Sequence, residues 1–257
     1  MAGPSLHEVR VKGQPPAVLE RLNDEHWAGR LYMRRVSPYA TVLFARLGWS
    51  PNAVTVAFMV SGVAAGVLTA VPGIAAAVGV ALLIQLYLLF DCSDGELARY
   101  TGQTSATGVY LDRMGHYLAE AVLLAGLGVR AQGHFSLTGG YVSTGLAAAV
   151  CATLIKAETD GVTVARASSG LNGKHDDQAL APRSSGLALA RRLAAALRLH
   201  RIIQAVELSF LILAAAIADL ATGSLTATRV LAVTALAVGV VMTAAHLVAI
   251  VASRRLG

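Results

Sequence analysis

Cysteine and charged residues are both scarce in this chain, and each shortage removes a class of protein. Only two of 257 residues are cysteine, Cys92 and Cys151, so neither a disulfide scaffold nor a repeated thiolate metal site is available. Charged residues make up 14% against 55% hydrophobic, with a mean hydropathy of +0.60. That balance is too apolar for an ordinary soluble domain of this length. The first thirty residues carry charges throughout and lack an apolar core followed by a small-residue cleavage site, so no cleavable signal peptide is expected. The formal charge is +6, but no nucleic-acid-binding motif accompanies it, and nucleic acid is not an expected partner.

What the sequence has instead is long apolar runs. A helix needs roughly 20 apolar residues to cross about 30 Å of hydrocarbon, and six runs reach that length, at about 52–71, 74–97, 107–129, 139–165, 202–220 and 226–252. The expected fold is therefore an all-α integral membrane protein with six transmembrane helices. Arginine alternates across the connections: Arg21, Arg30, Arg34, Arg35 and Arg46 precede the first run, Arg99 follows the second, Arg166 to Arg201 fill the connection after the fourth, and Arg254 and Arg255 close the chain. The opposite connections, near Pro72, 130–137 and Gly223, hold little positive charge. Such asymmetry places both termini on the cytoplasmic side of a cytoplasmic (inner) membrane, with the net positive charge drawn to lipid headgroups.

Residues 1–31 read as a cytoplasmic tail with a short surface helix over Leu19–Trp27, and residues 32–257 as the membrane-embedded domain. Tyr32–Trp49 mixes arginine with apolar residues as an interfacial helix does. Within 167–200, a polar loop over Ala167–Gln178 precedes a second amphipathic helix over Leu187–Leu199. Gly62, Ala65 and Gly66 favour close helix contact, including contact between two copies of the chain as a homodimer.

Ionisable residues inside spans are costly and mark function by default. Residues 91–116 read DCSDGELARYTGQTSATGVYLDRMGH. Asp91 and Asp94 share one helix face, Asp112 and His116 share a face of the next, and a short turn between antiparallel helices brings the pairs together. Hard divalent cations prefer carboxylate oxygens, and a paired-metal site stabilises both the attacking and leaving oxygens of phosphoryl transfer. Gly95, Ala98 and Gly108 exclude bulk where a nucleotide would approach, and the planar fork of Arg99 suits a diphosphate.

The spacing Asp91, Asp94-Gly95, Ala98-Arg99, Gly108 and Asp112 resembles the signature of the CDP-alcohol phosphotransferase family, and Pro51, Asn52 and Thr55 resemble the element that opens its first span. The family's fourth aspartate, four residues after Asp112, is replaced by His116. The resemblance implies that Asp91, Asp94 and Asp112 hold Mg²⁺ or Mn²⁺, as two ions, and that Asn52, Thr55, Gly95, Ala98, Arg99, Ser105 and Gly108 contact a CDP-linked donor. It further implies transfer to a lipid or polar alcohol acceptor, with membrane lipids as surroundings. The missing aspartate is the family's catalytic base and helps hold the second metal; His116 can serve as base or as metal ligand, since neutral imidazole does either. Glu120, one turn on, is placed either to orient His116 or to pair with Arg113 or Lys156.

Arg113 and Lys156 are candidates for binding the acceptor. Lys156 lies toward the cytoplasmic end of the fourth run, where Glu158 and Asp160 can simply reach water. Glu207 either lines the same cavity or pairs with a neighbouring helix. His175, Asp176 and Asp177 sit in a polar segment and read as a solvated turn, while His246 and Asp219 read as packing and membrane-edge residues. Two other functions compete with the enzyme: a silent descendant that binds CDP-linked ligands or lipids, supported by His116, and a transporter, supported only by the number of spans.

Overall fold

The computed structural model describes residues 4–16, 27–170 and 199–252. The surface helix expected over Leu19–Trp27, the amphipathic helix over Leu187–Leu199, the His175–Asp177 segment and the terminal arginines lie wholly or mostly outside these residues. Eight α-helices occur among the described residues: α1 (Leu6–Gly13), α2 (Arg34–Arg46), α3 (Pro51–Thr69), α4 (Ile74–Thr101), α5 (Ala106–Gln132), α6 (Gly140–Ser168), α7 (Ala205–Thr222) and α8 (Thr226–Val251). No strand occurs among the described residues. A π-helical turn, Gly29–Met33, leads into α2.

Helix α1 falls in what the sequence reads as a tail. Ser5 caps it, accepting from the Glu8 N–H, and the Glu8 carboxylate accepts in turn from the Ser5 N–H, a reciprocal capping box. These hydrogen bonds from Ser5 hold the Glu8 carboxyl below its ordinary range. Ser50 caps α3 by accepting from the Ala53 N–H, with Pro51 in the first turn, where its missing N–H costs nothing. Helix α4 ends at Gly102, which takes the left-handed conformation, φ 70°, that stops helices at little cost for glycine. Ser105 then caps α5, so the turn between α4 and α5 is only a few residues long.

Helices α3, α4, α7, α8, α6 and α5 pack in that order around a ring, with α5 also touching α7 and α8. Five of them, α3, α4, α6, α7 and α8, are long and apolar enough to cross a membrane, so the chain is a multi-pass membrane protein. The sixth expected span, α5, has the length, at 27 residues, but carries Asp112, Arg113, Glu120 and Arg130. Two of these charges turn inward, while Arg113 is exposed. Glu120 is 6% exposed and Arg130 3%, the latter donating to the carbonyl oxygens of Val71 (2.7 Å) and Gly73 (2.9 Å).

Apolar side chains such as Val60, Leu82, Val150, Ile217 and Val241 point outward from the five apolar helices, as a lipid-facing surface requires. Inside, Phe58, Ile84, Leu123, Leu127, Leu208 and Ile212 are fully or almost fully buried and form the core. Gly62, Ala65 and Gly66 are buried within the chain, and a Cβ at Gly62 would come 2.6 Å from that of Ala119. They serve the α3–α5 contact, so a homodimer would have to use other faces. At the far end, Asp219 accepts from the N–H groups of Ala227 (2.8 Å) and Thr228 (3.2 Å). It ties down the start of α8 rather than standing at an open membrane edge.

Candidate functional site

The last turns of α4 and the first turns of α5 stand on either side of α3 and bound a cavity of about 360 Å³. From α4 come Asp91, Asp94, Gly95, Ala98 and Arg99; from α5 and the turn before it come Ser105, Gly108 and Asp112. Asn52 and Thr55 close it from α3, and Arg34 from α2. Every residue the sequence singles out for donor contact therefore lines one space.

Asp91, Asp112 and His116 each offer a ligand atom, and these atoms lie within 4.8 Å of one another. His116 Nε2 is 3.2 Å from Asp91 Oδ1 and 3.7 Å from Asp112 Oδ1. Asp94 belongs to the same cavity but is set apart from that trio. It is 7% exposed; its Oδ2 accepts from Thr55 Oγ1 at 2.7 Å, and its Oδ1 from the Gly95 N–H. Each carboxylate oxygen has a further lone pair, so these bonds orient Asp94 without exhausting it.

The small residues earn their size differently. At Gly95 a Cβ would come 3.1 Å from Arg99 Nη1, so the missing side chain is the space in which the guanidinium lies. At Gly108 a Cβ would meet Asn52 Oδ1 at 3.2 Å, so α3 and α5 approach closely there. Ser105 Oγ accepts from the Gly108 N–H at 3.0 Å, which makes Ser105 the cap of α5 as well as part of the cavity wall.

His116 is not oriented by Glu120. Its Nδ1 meets Tyr87 Oη at 2.7 Å, and Phe58 packs edge-on against the ring, 5.1 Å between centroids. Glu120 instead pairs with Lys156, Oε1 to Nζ 3.2 Å, across the α5–α6 contact. The reason is charge: a buried carboxylate is stabilised more by an ammonium than by an imidazole already held by two aspartates and a tyrosine. Tyr87 and Phe58 escape the sequence reading, although Tyr87 stands four residues before Asp91, on the same face of the helix.

A second cavity of about 210 Å³ lies between α5 and α6, lined by Arg113, His116, Tyr117, Lys156 and Asp160 among others. Both acceptor candidates, Arg113 and Lys156, are there. Arg113 pairs with Asp160, which also accepts from Tyr117 Oη at 3.1 Å. The acidic neighbours do not simply reach water: Glu158 is bonded to His246 Nδ1 at 2.8 Å, which gives His246 a polar partner rather than a packing role. Glu207 lies away from both cavities, accepting from Trp27 Nε1 at 2.9 Å with Arg201 Nη1 3.8 Å away.

No protein-family model matches the chain, and no curated protein matches it.

Proposed function

We propose that this chain is a membrane transferase of the CDP-alcohol phosphotransferase kind, moving a phospho-alcohol or phosphatidyl group from a CDP-linked donor to an acceptor hydroxyl with release of CMP. The observation that supports it most is the gathering of Asp91, Asp94, Asp112 and Arg99 with Asn52, Thr55, Gly95, Ala98, Ser105 and Gly108 around one cavity. Helix α5 is taken as the sixth crossing, its charges sheltered by α3, α6, α7 and α8. Both termini and the cavity then face the cytoplasm.

When bound, one or two divalent ions such as Mg²⁺ or Mn²⁺ would supply neutralisation of the diphosphate charge. Arg99 adds a fork of donors to the same diphosphate. The acceptor would enter the second cavity beside Arg113 and Lys156. His116 lines the second cavity, and its Nε2 is 3.2 Å from Asp91, which lines the first.

In the proposed step the acceptor hydroxyl gives its proton to His116 Nε2 and its oxygen bonds to the phosphorus distal to cytidine. The bond from that phosphorus to the bridging oxygen breaks, and CMP leaves with that oxygen. One nitrogen cannot bind a cation and accept a proton at once, and His116 is assigned the base role. The 3.2 Å contact between His116 Nε2 and Asp91 favours a second reading, a ligand-binding protein without turnover, because the imidazole rests where a cation would. The test is CMP release by the purified, reconstituted chain with Mn²⁺ and a panel of CDP-linked donors. Release with one donor and acceptor pair supports transfer; CDP binding without release supports the second reading; neither outcome leaves the transporter.

A further inference from the structure

Glu96 lies on the far side of α4 from the metal-capable trio and is fully buried, yet no part of the chemistry above uses it. Its Oε1 accepts from Ser37 Oγ (2.5 Å), Gln14 Nε2 (2.8 Å) and Arg34 Nη1 (3.3 Å), and its Oε2 from Thr41 Oγ1 (2.9 Å). A carboxylate with three donors from α2 and a fourth from the turn after α1 is a joint, since a buried charge is tolerated only when its lone pairs are met.

Proline is what draws α1 into this joint. Pro38 inside α2 has no N–H for the carbonyl four residues back, and that carbonyl, of Arg34, instead accepts from Gln14 Nε2 at 2.8 Å. The Gln14 amide therefore donates to both α2 and α4. One residue earlier, the Gly13 carbonyl accepts from Arg99 Nε at 2.6 Å. Gly13 is buried against Glu96, where a Cβ would stand 3.2 Å from the Glu96 carbonyl oxygen.

The geometry points to a two-arginine cradle, built by the N-terminal helix, for the diphosphate of the donor. It rests on the donor assigned above. Arg34 and Arg99 both line the cavity. Glu96 holds Arg34 directly, and Gly13 holds Arg99 through Nε while its terminal nitrogens lie over Gly95. Arg34 is thus a second diphosphate-binding residue, and Gln14 and Glu96 are positioning residues that act through the two guanidinium groups.

The test measures binding of CDP and of cytidine to the purified full chain at saturating Mn²⁺. Arg34→Ala should weaken CDP binding roughly 10- to 100-fold, as loss of a charge-assisted hydrogen bond does, while cytidine affinity stays within about twofold of wild type. Gln14→Ala keeps both arginines and should weaken CDP binding by about three- to tenfold, from the loss of positioning alone. Glu96→Gln should behave like Gln14→Ala, and Gln14, at the rim, remains informative should Glu96→Gln unfold. Unchanged CDP affinity in folded Arg34→Ala, beside a clear loss in Arg99→Ala, overturns the cradle and leaves the donor assignment standing. Equal weakening of CDP and cytidine in Gln14→Ala overturns the positioning role. A wild type that binds no CDP overturns the donor assignment itself, and the cradle with it.

Discussion

Tyr87 Oη lies 2.7 Å from His116 Nδ1, and this contact leaves Nε2 as the ring nitrogen that faces the aspartates. For Nε2 to accept a proton or bind a cation, the ring hydrogen must sit on Nδ1 and be donated to Tyr87 Oη. With the hydrogen on Nε2 the ring becomes a donor to Asp91 and can do neither.

Tyr87→Phe is therefore expected to slow transfer roughly 10- to 100-fold, the usual cost of losing an orienting partner, with CDP affinity unchanged. His116→Ala should cost about 10²–10⁴-fold in turnover, as loss of a general base does. His116→Asp, which restores the family pattern, should keep part of the activity. Single-turnover CMP release checks all three, and a wild-type rate in His116→Ala would remove His116 from the chemistry.

The aspartates separate by surroundings. Asp91→Asn and Asp112→Asn should each abolish Mn²⁺-dependent CMP release and weaken Mn²⁺ binding, measured as free Mn²⁺ by electron paramagnetic resonance. Asp94→Asn should also abolish release, because it removes one of the three carboxylate charges that line the cavity. Full turnover in any folded single variant would falsify a shared metal site.

Helix packing offers a test independent of chemistry. A Cβ added at Gly126 on α5 would collide with the Gly66 carbonyl on α3. Gly126→Ala should destabilise the chain by about 1–3 kcal/mol, the range for overpacking, read as a lower unfolding temperature. Mn²⁺ affinity at low temperature should be unchanged. An unaltered unfolding temperature would mean that α3 and α5 do not approach this closely.

Orientation can be read by labelling. A single cysteine at Gly170, at the end of the described part of α6, should react with a membrane-impermeant maleimide only from the cytoplasmic side. One at Gly223, between α7 and α8, should react only from outside. The reverse pattern would put the cavity on the wrong side of the membrane for a cytoplasmic nucleotide.

Much of this architecture was legible because its signals are local. Apolar length marks α3, α4, α6, α7 and α8, and the spacing from Asp91 to Asp112 places residues on one cavity through helix periodicity alone. Helix α5 was legible by length but mixed in charge, because its carboxylates and arginines find partners on other helices. Those partners are what a linear reading misses. Tyr87 for His116 and Glu158 for His246 are joined across helices, with no fixed sequence separation. Helix α1 was missed for a related reason: eight residues are too few to be helical alone, and its contacts with Glu96 and Arg99 arise only once α4 is in place.

Helix α4 has one more consequence, in the thickness of the bilayer. Its 28 residues rise about 42 Å at 1.5 Å each, while the hydrocarbon is about 30 Å deep. In the orientation proposed above, with Ile74 at the outer boundary, about eight residues would overhang the inner one, and they carry Asp94, Glu96 and Arg99, while Asp91 would sit just inside it. A membrane a few ångströms thicker, as longer acyl chains make it, would draw those carboxylates toward oil. The lipid composition around the protein thus sets the depth at which its charged groups meet water.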